Sequence, residues 1–344
     1  DLNVPWMDGE PLPGIQHKYR ETVLFFPAAG QTCHSYCSYC FRWSQFAQPD
    51  RFRFESHEAE SLVRYLRRHP EISSILITGG DPLVMTTEVL RRYVEPLLDP
   101  SLEHIRSIRL GTKSLTYWPH RFVSDPDADD LLRLFEGIRG TGRHLALMAH
   151  VSHPRELEPR VAREAIRRIR EAGAVIRTQS PVVRGVNDDA DTWADLWRKQ
   201  VRLGMVPYYM FIARDTGAQH FFKLPLAEAL AIYNGAYRQV SGLARTARGP
   251  VMSATPGKVM VTGIGRVNGE DVFVLRFLQG RDPSWVGRPF FAEYHPEAAW
   301  LDELRPAFGE SEFFFEPRFR EIKEDLAAGR GPRRATTPAW SRRT

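Results

Sequence analysis

Cys33, Cys37 and Cys40 are the only cysteines in the 344 residues, and all three lie in the ten-residue stretch TCHSYCSYCF. Thiolates are soft metal ligands, and the spacing C-x3-C-x2-C lets one tight loop turn three of them toward a common centre. Cysteines used as small buried hydrophobes would scatter along the chain instead. A closed zinc site needs a fourth ligand, which His34 or a distant histidine would have to supply. An iron–sulfur cluster with one iron lacking a cysteine ligand suits three thiolates best. Nothing here reads as a secreted disulfide framework, so a reducing, cytoplasmic setting is expected.

Other unusual stretches each follow a short apolar run. They are TGGDPL at 78–83, GTKS at 111–114, HVSHP at 150–154, Gln179 with RGVND at 184–188, and ARDTGAQH at 213–220. Chemistry in parallel α/β barrels gathers at the C-terminal ends of the strands, which is where these stretches would fall.

The elements that must position them alternate regularly. TVLFFPA, SSILIT, IRSIRLG, HLALMAH, AVIRTQS and PYYMFIA read as strands, each followed by helical periodicity. In the fourth helix Ala162, Ile166 and Ile169 share one face, Arg163, Arg167 and Arg170 line another, Pro159 suits the first turn and Gly173 the stop. Continuous apolar strands between such helices imply a parallel sheet covered by helices. The fold class is therefore α/β, a partial (β/α)6 TIM-like barrel, with a doubly wound open sheet as the alternative. Residues 1–20 read as an N-terminal arm, 21–243 as the barrel and 244–330 as a small C-terminal β-containing extension, with a hairpin turning at Asn268-Gly269. Residues 331–344 read as a flexible basic tail.

Composition is that of a globular chain, 42% hydrophobic and 26% charged, with a net charge of +5. No apolar run is long enough to span a membrane, no signal-like segment is read, and no RNA-recognition motif is present, so neither membrane nor nucleic acid is expected as a partner. Most of the arginines are expected on solvated helix faces.

The cysteine spacing, with Tyr39 before the last cysteine, resembles the signature of radical S-adenosylmethionine (radical SAM) enzymes. The resemblance implies a 4Fe–4S cluster on Cys33, Cys37 and Cys40, with S-adenosylmethionine chelating the fourth iron and yielding a 5′-deoxyadenosyl radical. It also implies that Gly79, Gly80 and Asp81 hold the methionyl amine, and that the barrel is of the radical SAM type.

A narrower resemblance, over residues 18–260, is to the lysine 2,3-aminomutase subgroup. It rests on ITGGDPL, RLGTKS, HVSHP, TQSPVVRGVND and PYYMF. These enzymes also use pyridoxal 5′-phosphate (PLP), draw electrons from reduced flavodoxin or ferredoxin, and act on amino acids as small-molecule substrates. By this resemblance Lys258, in SATPGKVMV, carries PLP, and Lys18 and Tyr19 lie near its ring and phosphate. Lys113, His150 and Gln179 fall among the cofactor-binding residues, and Arg42 grips the substrate carboxylate. The family's two acidic residues for the distal ammonium of lysine are not matched: Arg214 stands at the first, with Asp215 next to it, and Ser253 or its neighbour at the second. An acid exchanged for a base inverts the preferred substrate charge, so an amino acid with an acidic or polar side chain, such as glutamate, is expected over lysine. A homo-oligomer is allowed, although the family's further interface cysteines are absent. The runner-up is a radical SAM enzyme of this fold without PLP, acting on a peptide, protein or nucleotide. A non-enzymatic iron–sulfur or zinc protein is the reading from another class.

Overall fold

The computed structural model describes residues 2–47, 54–214 and 217–328. The strands are β1 (Trp6–Met7), β2 (Glu10–Pro11), β3 (Ile15–Tyr19), β4 (Thr22–Phe25), β5 (Ser74–Ile77), β6 (Ser107–Thr112), β7 (His144–His150), β8 (Val175–Val182), β9 (Val206–Ile212), β10 (Arg248–Ser253), β11 (Gly257–Val267), β12 (Glu270–Gly280) and β13 (Pro289–Glu293). β1 and β2 form a separate small ladder, and β3 to β13 lie side by side in chain order in one sheet. From β4 to β10 every pairing is parallel. β3 and β11 to β13 add antiparallel strands at the two sides.

The six expected strand–helix units are present, and β10 joins them as a seventh parallel strand. The sheet also runs without interruption through residue 244, and β3 of the leading arm pairs directly with β4. The hairpin forms as read: Asn268 and Gly269 adopt φ of 51° and 86°, the left-handed pair that a two-residue turn requires.

Helices Glu60–Arg68, Thr87–Val94, Ala128–Gly140, Arg160–Glu171, Ala190–Arg202 and Leu226–Arg238 follow β4 to β9 in turn. Their apolar faces cover one face of the sheet. Leu62, Leu66, Phe135, Ile166, Ile169 and Trp193 are all within 1% of full burial, each contributing on the order of 1.5–3 kcal/mol of hydrophobic stabilisation. Period-two alternation then decides what the other face carries. In β8, Ile176, Thr178, Ser180 and Val182 are buried against the helices, which turns Arg177 and Gln179 inward. In β6 the same alternation buries Ile108 and Leu110 and turns Arg109 inward.

The sheet curls until its two sides meet. Lys18 Nζ, on β3, donates to the carbonyl of Ala254, just past β10. Arg281, just past β12, reaches the Leu2 carbonyl and Asn3 Oδ1 of the leading arm. The meeting is made by side chains, and the ladder order has β3 at one end and β13 at the other. The result is a partial barrel with a lumen.

Candidate active site

The cysteine loop leaves β4 and packs on the loop after β5. The Asp81 amide donates to the carbonyls of Thr32 (2.6 Å) and Gly30 (3.1 Å). A Cβ added at Gly80 would run into the Thr32 backbone, and one added at Gly79, whose φ is +148°, into the Gln31 side chain. The two glycines are thus demanded by the cysteine loop itself. Within the loop, the Cys40 amide donates to the Cys37 carbonyl at 3.1 Å, closing the turn between the last two thiols.

Cys33, Cys37 and Cys40 are unpaired thiols, each half-buried. Burial pushes all three up, Cys33 to about 12 with further contributions from Asp81 and the other two thiols. Such a set is costly as bare thiolates and is stabilised by a cationic metal centre, so it fits a cluster. Among the described residues no three His, Cys, Asp or Glu side chains close on a single ion; a cluster instead takes one thiolate at each of three irons.

Asp81 is buried, and its carboxylate is engaged on both oxygens. It accepts from the amides of Leu83 (3.0 Å), Lys113 (2.8 Å) and Ser114 (3.1 Å), and from the hydroxyls of Thr112 (2.8 Å) and Ser114 (3.0 Å). Burial pushes this carboxyl up, against the pull of those donors. Its side chain therefore clamps the loops after β5 and β6 together. Lys113 is likewise committed: its ammonium pairs with Glu156 at 2.9 Å and lies 4.2 Å from the centre of the Tyr117 ring. Thr116 and the Ser152 and His153 amides complete the hydrogen bonds to Glu156.

Tyr39, between two of the cysteines, donates to or accepts from Ser152 Oγ at 2.7 Å and meets His150 and Phe222 edge to face. Burial, with the charge of Lys113 adding to it, pushes His150 well below the usual imidazole range, so it is neutral. Arg42 stacks 4.5 Å from the centre of the Phe26 ring, with Cys33 and Cys40 as its neighbours.

One row of the sheet links this end to Lys258. His150 pairs with Gln179, and Gln179 pairs with Tyr209. The Lys258 ammonium lies 5.2 Å from the centre of the Tyr209 ring and 5.3 Å from that of Tyr19. It donates to Gln279 Oε1 at 2.7 Å. Burial, then Arg109 and Arg248, push the Lys258 amine down from 10.5 to about 7. Lys18 is pushed down to about 7 as well, by burial and then by Arg281, Lys258 and Arg214. The Tyr19 hydroxyl is buried without a hydrogen-bond partner. Arg214 donates to the Ser253 carbonyl at 3.1 Å and lies over Trp300. Asp215 lies outside the described residues.

Below this lysine is a cavity of about 420 Å³. Arg109, Arg177, Arg248, Tyr208 and Gln279 line it, with the hydroxyl-bearing residues Thr22, Ser74 and Ser107 where their strands begin. A bulge helps to build it. Thr178 pairs with Pro207 but Gln179 with Tyr209, leaving Tyr208 as an extra residue in β9. Tyr208 and Tyr209 are thereby brought ring to ring at 4.5 Å, both against the Arg248 guanidinium. A lysine poised as a neutral amine, an orphaned hydroxyl and a basic cavity fit a phosphorylated aldehyde such as PLP.

Sequence reasoning missed Arg109, Arg177, Arg248 and the tyrosine pair. Their signal was an arginine at an inward position of an otherwise apolar strand, where a charge is expensive to bury.

The curled parallel sheet and its cysteine loop define a radical SAM fold, and the chain belongs to the radical SAM superfamily, in its lysine 2,3-aminomutase-like group. The model described as Radical SAM superfamily matches residues 29–196. The chain is 35% identical over 291 residues to a protein of Aquifex aeolicus named "Putative L-lysine 2,3-aminomutase", covering 84% of this chain and 74% of that one. It is 27% identical over 233 residues to the L-lysine 2,3-aminomutase of Clostridium subterminale, covering 67% of this chain and 52% of that enzyme. The chain thus matches about half the length of the Clostridium enzyme. Among solved structures, a radical SAM methyltransferase from Sphaerobacter thermophilus superposes with a TM-score of 0.46 at 16% identity, over 68% of each chain. The family implies a 4Fe–4S cluster and S-adenosylmethionine. No helix among the described residues is long and apolar enough to cross a membrane.

Proposed function

We propose that this chain is a PLP-dependent 2,3-aminomutase that moves the α-amino group of an amino acid to its β-carbon. The observation that carries the reading is Lys258: a buried amine pushed down to about 7, bonded to Gln279 of a basic cavity and packed on Tyr209, whose sheet row leads to His150 near the cysteine loop. When bound, S-adenosylmethionine on the reduced cluster supplies a 5′-deoxyadenosyl radical, and PLP stabilises the substrate radical through which nitrogen migrates. Reduced flavodoxin or ferredoxin is the expected electron donor.

The chain's own residues do the positioning. Cys33, Cys37 and Cys40 hold the cluster. With the Asp81 carboxylate taken up by protein donors, contact with the methionyl amine falls to the backbone of Gly79 and Gly80. Tyr39, His150 and Gln179 form an uncharged path from the cysteine loop toward the lysine. Lys258 offers its unprotonated amine to an aldehyde, and Tyr19 covers it. Arg42, beside Cys33 and Cys40, is suited to grip an α-carboxylate in a planar fork. Arg214, which stands near enough to Lys18 to disfavour its charge, supplies a cation and not an acid on this side of the site, which supports an acidic or polar amino acid over lysine.

Borohydride reduction of the anaerobically purified, PLP-supplemented protein, followed by peptide mass mapping, tests the reading. A pyridoxyl group on Lys258 is expected. S-adenosylmethionine cleavage with no such adduct would refute the PLP assignment and leave a radical SAM enzyme acting on another substrate. Turnover of lysine but not glutamate would refute the substrate class.

A further inference from the structure

Two arginines set into the protein elsewhere, Arg121 and Arg168, are paired with carboxylates. Arg121 bonds Asp127 at 2.8 Å and the carbonyls of Leu83 and Met85. Arg168 bonds Asp129 and the Phe122 carbonyl. Arg109, Arg177 and Arg248 break that habit. All three line the lumen cavity, and no carboxylate lines it with them. Among the described residues none of their side chains makes an ion pair or a hydrogen bond, and Arg109 Nε is fully buried with no partner. Their fixed contacts are ring faces: Arg177 lies 5.3 Å from the centre of Tyr208, and Arg248 4.4 Å from it. Stacking holds the guanidinium planes while leaving their N–H edges unspent. Three partly buried cations gathered without a counter-ion are costly, and the cost is recovered when an anion enters.

We propose that Arg109, Arg177 and Arg248 form a binding site for a phosphoryl dianion in the lumen of the sheet. A single carboxylate neutralises one charge and accepts along one edge. A phosphoryl group neutralises two and presents three terminal oxygens, which matches three guanidiniums converging from β6, β8 and β10. Gln279 lines the cavity and accepts from Lys258 Nζ at 2.7 Å, and Arg109 and Arg248 lie near enough to disfavour the charge on that amine, so a ligand bonded at Lys258 has these arginines as neighbours. The phosphoryl group is that of PLP, which rests on the proposed function, or that of free phosphate, which does not.

Isothermal titration of the anaerobically reconstituted protein separates these. PLP is expected to bind at least about tenfold more tightly than pyridoxal, which lacks the phosphate. Orthophosphate should compete with PLP and leave pyridoxal unaffected. Arg177→Met or Arg248→Met should each weaken PLP and orthophosphate about tenfold and spare pyridoxal, with Arg177→Lys recovering part of the loss. The competition arm uses the unaltered chain, so a variant that fails to fold does not stop the test. If PLP and pyridoxal bind alike and both label Lys258, this inference fails and the aminomutase reading stands. If neither labels Lys258, that reading fails. Orthophosphate alone then decides: arginine-dependent binding keeps the site, and no binding removes it. Binding of glutarate in preference to orthophosphate would overturn the assignment in favour of a carboxylate.

Discussion

Tyr19 and Lys258 are far apart along the chain, yet the lysine nitrogen lies 5.3 Å from the centre of the tyrosine ring. The Tyr19 hydroxyl is buried without a partner. An unsatisfied buried hydroxyl costs roughly 1–3 kcal/mol, and here it waits beside the amine expected to carry a cofactor. Tyr19→Phe should therefore leave the cofactor-free protein as stable as before, or about 1 kcal/mol more so, while weakening PLP retention. Denaturant unfolding and PLP titration read the two effects separately. A clear loss of stability in the cofactor-free form would show that the hydroxyl already serves the fold.

Lys258 has its amine pushed down from 10.5 to about 7. Between those two values the unfolded chain binds the proton and the folded chain does not. Unfolding then takes up a proton, so stability rises with pH across that window; below about 7 both states are protonated and the cost of burying the charge is present in full. Lys18 acts in the same direction over the same window. Urea midpoints measured from pH 7 to 10 should rise less steeply in Lys258→Met than in the parent. Aldehyde capture by the parent should rise with a midpoint near 7, and Arg248→Met should move that midpoint upward. A midpoint near 10 would mean that the amine is solvated.

Lys113 is paired with Glu156 in a largely enclosed setting. Removing one partner of a buried pair costs about 3–5 kcal/mol, because the other charge is stranded. Lys113→Met should show that loss, and Lys113→Met with Glu156→Gln should regain a good part of it. Both are read from unfolding of the cluster-free protein. Equal stability of parent and single variant would assign Lys113 to a cofactor and not to the fold.

Gly80→Ala places a methyl group against the Thr32 backbone. The cysteine loop has to shift, so iron bound per chain after reconstitution should fall severalfold while circular dichroism stays native. Full iron loading would show that the loop tolerates the displacement.

The alternation of strands and helices was legible because each helix carries its apolar face at regular spacing, as at Ala162, Ile166 and Ile169. The Asn268-Gly269 turn was legible because few other pairs accept two left-handed residues. β10 was hidden: RGPVMS carries glycine and proline at its second and third positions, which interrupt a strand pattern. β3 was hidden by its polar sequence IQHKY, since one side of a strand at the margin of a sheet meets little that is apolar. The site divided in the same way. The cysteines declare themselves by spacing, whereas Arg109 and Arg177 look like solvent-facing residues until the curl of the sheet shows that their face is the inside. Asp81 and Lys113 show a related limit: sequence shows a charged residue in a loop, and only the fold shows how many protein partners it has.

The lumen is walled by backbone ladders except along the line where β3 meets the region beyond β10 and β12. There the two sides are joined by Lys18 to one carbonyl and by Arg281 to the leading arm. Parting any other pair of strands breaks a cooperative row of amide bonds; parting these two exchanges a few cationic side chains from carbonyls to water. The barrel accordingly has a seam, a line held by side chains where every other strand boundary is held by a ladder.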